Sequence, residues 1–283
     1  MSTANEGDRL GTAFHESFSL SRPAISQVLQ YIASSGEDKP SFDDLREGTT
    51  LGTNYIKSMR RYSRGAGLVD EHERLTTFGR LVASMDATLS NPITMWLLHY
   101  FLSSPHHQGP PFWSALVQGL LNQQAQITQS EIAADISRFL ESEGEKQLAE
   151  RTLQTTATVF AGTYVKSDGL GPLGILTEVP RSDRGERCFD IGEELSLAPA
   201  LVAVFVIADY WDHAWPQFKE VNLTSFSEPT GPGALLLMNS GEVADVLKEM
   251  QNLGLVQLQR RRAPYQVFRT WDDTTKILER VYE

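Results

Sequence analysis

The chain has one cysteine in 283 residues. That thiol, Cys188, closes no intramolecular disulfide and cannot supply a thiolate zinc cage, so a reducing, cytoplasmic setting is expected. Long apolar runs are also missing. The two most apolar segments, residues 93–102 and 200–208, fall well short of the roughly 20 residues that span a bilayer, and they read as buried helices with no membrane contact. The first residues hold no basic leader followed by an apolar stretch, which argues against secretion. Excess positive charge is absent as well: 25 Lys and Arg stand against 36 Asp and Glu, a net charge of -11. A uniformly acidic surface repels nucleic acid, so any nucleic-acid role requires a local patch.

Hydrophobic residues at 41% and charged residues at 22% are ordinary for a globular chain long enough for two domains, or for one large body and a small module. Ile25, Val28, Leu29 and Ile32 have the spacing of one helical face, within a helix expected over residues 21–33. Ser41 offers an N-cap to a short second helix ending near Gly48. A third helix runs from about Thr53 to Arg64 and stops at Gly65 and Gly67. Beyond it, Leu68 and Val69, a charged tip at 70–74, and residues 75–78 read as two short strands around a turn. Three helices and a hairpin follow the order of a winged helix-turn-helix, assigned to residues 14–85.

Residues 86–227 read as a helical middle domain. Asn91 and Pro92 open an apolar helix around Trp96, Ser130 and Glu131 open an amphipathic one, and residues 165–190 read as loops or a small hairpin. Residues 228–233 read as a linker into a second winged helix, residues 228–283. Its helix is capped by Ser240 and turns Val243, Val246, Leu247, Met250 and Leu253 inward. Strands at 256–258 and 265–268 flank a basic tip. The fold class expected is therefore mainly α, with an N-terminal winged helix-turn-helix, a helical middle and a C-terminal winged helix.

The third helix carries the most specific signal. Lys57, Arg60, Arg61 and Arg64 fall at i, i+3, i+4 and i+7, within an arc of roughly 100°. Tyr55, Ile56, Met59 and Ser63 lie opposite, and no acidic residue of the helix interrupts the cationic front. Residues 45–80 hold seven Lys and Arg against four Asp and Glu, so the sign reverses locally. Four neutralised phosphates would give a salt slope of about 3.6. A solvated helix face, or a surface for an acidic protein, would carry the same stripe. The C-terminal module is less clear: Arg260, Arg261 and Arg262 mark its tip, but Glu242, Asp245 and Glu249 accompany Lys248 on its helix. Backbone or minor-groove contact from the wing competes with a homodimerisation or partner-docking role.

Catalytic and cofactor motifs are weak. Gly169, Gly171 and Gly174 fit G-x-G-x-x-G, yet Pro172 lies inside and no helix is expected to follow. His106 and His107 sit in a loop without a carboxylate at ligand spacing. Asp209, Asp212 and His213 lie on one helix face and could present three ligands, or simply end a buried helix. Cys188 beside Arg184 and Arg187 has no evident catalytic partner. No nucleophile, base and oxyanion set assembles, so a non-enzymatic protein without cofactor is expected.

Phe14-His-Glu-Ser-Phe18 with Arg22, residues 51–60 around Tyr55 and Arg60, Gly67 and Leu68, Leu75-Thr-Thr-Phe-Gly79, Asp86, and residues 94–99 with Trp113 resemble an uncharacterised bacterial family bearing a domain-of-unknown-function label. The resemblance covers residues 14–160 well and the remainder loosely. It implies a setting beside phosphoadenosine-phosphosulfate-reductase-like proteins in DNA-modification and phage-defence islands. It carries over no catalytic residues. Together these readings lead to the expectation of a cytoplasmic accessory or regulatory protein that binds double-stranded DNA. A sulfotransfer or DNA-modification enzyme is the expected protein partner. The alternatives are a scaffold docking such an enzyme, and a metal-dependent nuclease using Asp209.

Overall fold

The computed structural model describes residues 9–36, 41–180, 185–259 and 261–283. It divides into two compact units that part between Leu197 and Ala198. The expected 85/86 and 227/228 boundaries fall inside these units. Residues 14–85 share one unit with the first part of the middle region, and the second unit begins ahead of residue 228 because it includes the long helix over 200–214.

In the first unit, α1 (Arg22–Ser34), α2 (Phe42–Gly48) and α3 (Thr53–Gly65) form where the periodicity places them. Ser41 accepts from Asp44 N while the Asp44 carboxylate takes Ser41 N, closing a capping box on α2. Gly67 at φ 74 supplies the left-handed turn after α3, and a Cβ there would lie 2.6 Å from the Phe101 ring. The second strand expected over 75–78 is not formed. Val69 and Leu75 make a single antiparallel bridge, and α4 (Thr77–Met85) follows directly. Thr76 decides this: its hydroxyl accepts from Gly79 N at 2.9 Å and donates to Gly67 O at 2.6 Å, so a helix cap replaces a strand.

The apolar helix α5 (Pro92–Ser103) is capped by Asn91 and buried nearly throughout. It is followed by α6 (Pro111–Ala115), a π-helical turn over Leu116–Leu120, and α7 (Leu121–Gln123). Strand β1 (Gln126–Thr128) leads into α8 (Gln129–Ser142), whose capping residue is Thr128 and not Ser130. After α9 (Glu150–Val165) come β2 (Leu176–Val179) and β3 (Cys188–Ile191), paired antiparallel in the order β1-β3-β2. The expected hairpin therefore gains a third strand. No helix follows Gly174, which takes φ 68 and leads into β2.

A buried polar junction ties α5, α6 and α9. Trp113 Nε1–H donates to the Tyr164 hydroxyl at 2.8 Å, which lies 2.9 Å from His99 Nδ1. The hydroxyl thus accepts from Trp113 and shares a second hydrogen bond with His99, whose direction is set by the imidazole tautomer. Burial pushes the Tyr164 ionisation far above its ordinary range.

The second unit is built on α10 (Ala200–Ala214), with β4 (Glu220–Asn222), α11 (Pro232–Leu235), α12 (Ser240–Asn252), β5 (Val256–Gln259), β6 (Gln266–Arg269) and α13 (Thr274–Val281). Its sheet order is β4-β6-β5. The expected linker is not a solvent tether: residues 231–233 are buried, and the Tyr210 hydroxyl donates to Thr230 O at 2.6 Å. Asn239, not Ser240, caps α12, through a box with Glu242. Trp211 anchors the core against Trp215, Phe226 and Trp271, with ring centroids 5.3 to 6.0 Å apart.

Tyr164→Phe removes the acceptor of a buried Trp113 N–H at nearly constant volume. It should cost about 1–3 kcal/mol, seen as a lower urea midpoint at unchanged slope. An unchanged midpoint would show that the junction adds nothing.

Candidate nucleic-acid interface

Helix α3 is amphipathic for a physical reason visible in its packing. Ile56, Met59 and Tyr62 are fully buried, and the Tyr62 ring packs edge-on against Phe14 at 4.8 Å and Trp113 at 6.5 Å. Ser58 and Ser63 are buried beside them; their hydroxyls donate to His15 O and Met59 O. With that face fixed, Lys57, Arg60, Arg61 and Arg64 are directed to the other side. They line a cleft of about 400 Å³ together with Glu71 and Glu73.

The cationic front is interrupted by acidic residues from outside the helix, which corrects the expectation of an unopposed stripe. Arg60 makes a two-pronged ion pair with Glu73, Nε to Oε1 at 3.1 Å and Nη2 to Oε2, and its guanidinium lies 6.0 Å from the Phe42 ring centroid. Arg61 donates to Glu16 Oε1 at 2.7 Å and to Phe14 O at 3.2 Å. Arg64 donates to Gln108 Oε1 at 2.7 Å, and the same Gln108 amide reaches Glu71 at 3.3 Å. Lys57 is exposed and, among the described residues, has no ion pair.

Local backbone geometry aims both carboxylates. In the 70–74 turn, Asp70 Oδ1 accepts from His72 N at 2.9 Å and Arg74 N at 2.8 Å. That arrangement holds Glu73 at φ 60, in the left-handed region, with its side chain returned to Arg60. Glu16 and Ser17 are also left-handed, at φ 45 and 69. His15 fixes this pair: Ser17 N–H donates to His15 Nδ1 at 3.0 Å, so the ring carries its proton on Nε2, facing Thr156 Oγ1 at 3.3 Å. Burial depresses the His15 pKa to about 4, against a smaller opposing pull from Glu16.

Arg22 acquires a role that its position in the sequence did not suggest. Its guanidinium donates to Gly169 O at 2.6 Å and Ser167 O at 2.6 Å, just past the end of α9, and to Leu89 O at 2.9 Å in the loop between α4 and α5.

In the second unit, Arg261 and Arg262 are exposed at the β5–β6 tip beside Tyr265, which is 47% exposed; Arg260 lies outside the described residues. On α12, Lys248 is paired with Asp245 at 2.6 Å, so that face offers no cation for phosphate. The grouping of Asp209, Asp212 and His213 does not hold as three ligands on one face. Asp212 is committed to Arg269 at 2.6 Å, Trp271 Nε1 at 3.2 Å and the Thr274 hydroxyl. His213 Nδ1 lies 2.7 Å from Asp209 O and 3.7 Å from its carboxylate. Cys188 is buried in β3, and Arg187 beside it is turned to Glu178 at 2.8 Å; Arg184 lies outside the described residues.

These features define a mainly helical chain whose third helix lines a mixed-charge cleft. The chain belongs to the family described as "Protein of unknown function (DUF4007)", which matches residues 13–282. No curated protein matches it in sequence. Two solved structures share the fold. "Magnesium ion-bound SspB crystal structure" has a TM-score of 0.76 at 18% identity, covering 96% of this chain and 88% of that one. "SspB crystal structure" has the same score and coverage at 17% identity.

Folding keeps His15 neutral where the unfolded chain would protonate it, so its contribution is present above about pH 6.5 and fades as pH falls toward 4. His15→Asn should preserve an acceptor for Ser17 N–H and flatten that part of the stability profile in urea titrations between pH 7 and 4.5. Parallel profiles for the two proteins would refute the assignment.

Proposed function

We propose that this chain is a double-stranded DNA-binding component, without catalytic chemistry of its own, of a bacterial phage-defence or DNA-modification system. We read α1 to α3 with the bridged turn as a winged helix-turn-helix, and α12 with β5 and β6 as a second winged helix. The observation that carries the reading is the rotational setting of α3: one face is locked in the core, and four cations in register line an open cleft. A helix so placed is suited to the major groove, with Lys57, Arg60, Arg61 and Arg64 on phosphates or guanine edges. Arg261 and Arg262, with Arg260, supply a second backbone contact from the wing.

The acidic outer face of α12 favours a protein partner on that side of the C-terminal module, either a DNA-modification enzyme or a second copy of this chain. No described helix is long and apolar enough to cross a membrane, which accords with action on DNA in the cytoplasm. The resemblance of residues 14–160 to proteins of defence islands supplies the proposed setting.

Fluorescence anisotropy with a duplex at 50 mM salt tests the reading. Lys57→Glu touches no ion pair of the fold and should weaken binding roughly fivefold, with the salt slope falling by about 1. Equal binding by wild type and Lys57→Glu, or no binding by either, would end the proposal.

A second reading, metal-dependent action on DNA, draws on the magnesium ion named for the similar SspB structure and on the Asp209–His213 pair. The same duplex incubated with Mg²⁺ separates the two. It should stay intact, whereas cleavage lost in Asp209→Ala would favour an enzyme.

A further inference from the structure

The two carboxylates that meet α3 reach it from separate segments and through left-handed backbone. Glu73 and Glu16 come from different segments, one from the turn after α3 and one from the chain ahead of α1. Each reaches an arginine that faces the cleft. Each is held in the left-handed region, where a non-glycine residue is strained. Three further described non-glycine residues take positive φ: Ser17, Leu89 and Leu237. Two of five such positions therefore carry the acids that hold Arg60 and Arg61.

Their pairings differ in a useful way. The Arg60–Glu73 pair is sheltered, with side chains 18% and 19% exposed, and it is two-pronged, the geometry in which a guanidinium also takes a phosphate. The Arg61–Glu16 pair is more open, at 43% and 35%. A phosphodiester entering the cleft therefore meets guanidinium groups already occupied by acceptors of its own shape and sign.

Resting on the DNA-binding reading, we propose that Glu73 and Glu16 are phosphate-mimicking clamps, an autoinhibitory contact that DNA must displace to engage α3. Each clamp cancels one of the four charges, so the wild-type salt slope falls from about 3.6 to about 1.8. Nonspecific duplex, which offers only phosphates, exchanges a carboxylate on each arginine for a phosphate and gains little. A site that also offers base-edge contacts adds the difference, so the clamps sharpen discrimination between sites.

The test is duplex anisotropy across 50 to 200 mM salt for the full chain, with Lys57→Glu, Glu73→Gln, Glu16→Gln and Glu73→Gly alongside wild type, each first shown to be folded by far-UV circular dichroism. Glu73→Gln and Glu16→Gln should each tighten nonspecific binding about fivefold and raise the slope by about 0.9. Glu73→Gly, which also relieves the left-handed strain, should behave like Glu73→Gln. If Lys57→Glu weakens binding while both glutamine variants bind as wild type, DNA binding stands and the clamp is overturned. Tightening by Glu73→Gly alone would also overturn it, since the backbone and not the charge would then be responsible. If no variant binds, both the clamp and the DNA reading fall.

Discussion

The packing of Tyr62 is the constraint on which the site depends. Its ring, held between Phe14 and Trp113, fixes the rotation of α3 about its axis. The hydroxyl, donating to Phe18 O at 3.1 Å, ties the same side chain to the segment ahead of α1. Burying Tyr62, Ile56 and Met59 is worth roughly 1.5–3 kcal/mol for each side chain, far more than any exposed ion pair. The cationic face therefore follows from hydrophobic packing. Charge has no part in setting the helix orientation; it only determines what that orientation presents.

Electrostatics then works on a fixed frame. Four cations on one helix face repel one another, and in an isolated protein nearby acids relieve that repulsion. Here Glu73 and Glu71 line the cleft with the four cations and Glu16 meets Arg61 at its edge, so four positive charges stand against three negative ones around that face. The net charge of -11 is thus an average over unlike regions. It extends to the cationic helix itself, whose neighbours temper it. A stripe read from letters overstates a field that the folded chain has already largely cancelled.

What could be read in the sequence divides by range. The spans of α1, α2 and α3 follow from apolar spacing and capping residues, which are local. The break after α3 follows from Gly67, whose φ of 74 only glycine adopts freely. Glu73 and Glu16 meet their arginines across 13 and 45 positions, through left-handed backbone at residues that rarely take it, and no period in the sequence announces that. Thr76 and Thr77 have strand propensity, yet one hydroxyl cap makes them open a helix. β1 and β4 have three residues each, too few for alternation to register. Arg22 and Trp113 stood out by resemblance, and their partners, carbonyls past α9 and between α4 and α5 for the one and the Tyr164 hydroxyl for the other, became visible only in the fold.

Hydrogen exchange of the intact chain with and without saturating duplex tests the central claim most directly. Added protection is expected over Thr53–Gly65, and faster exchange over residues 68–76, whose Glu73 gives up Arg60 to the bound strand, while the buried α5 and α9 peptides stay unchanged. Exchange in α3 and its turn that is indifferent to DNA, or protection confined to other segments, would contradict it.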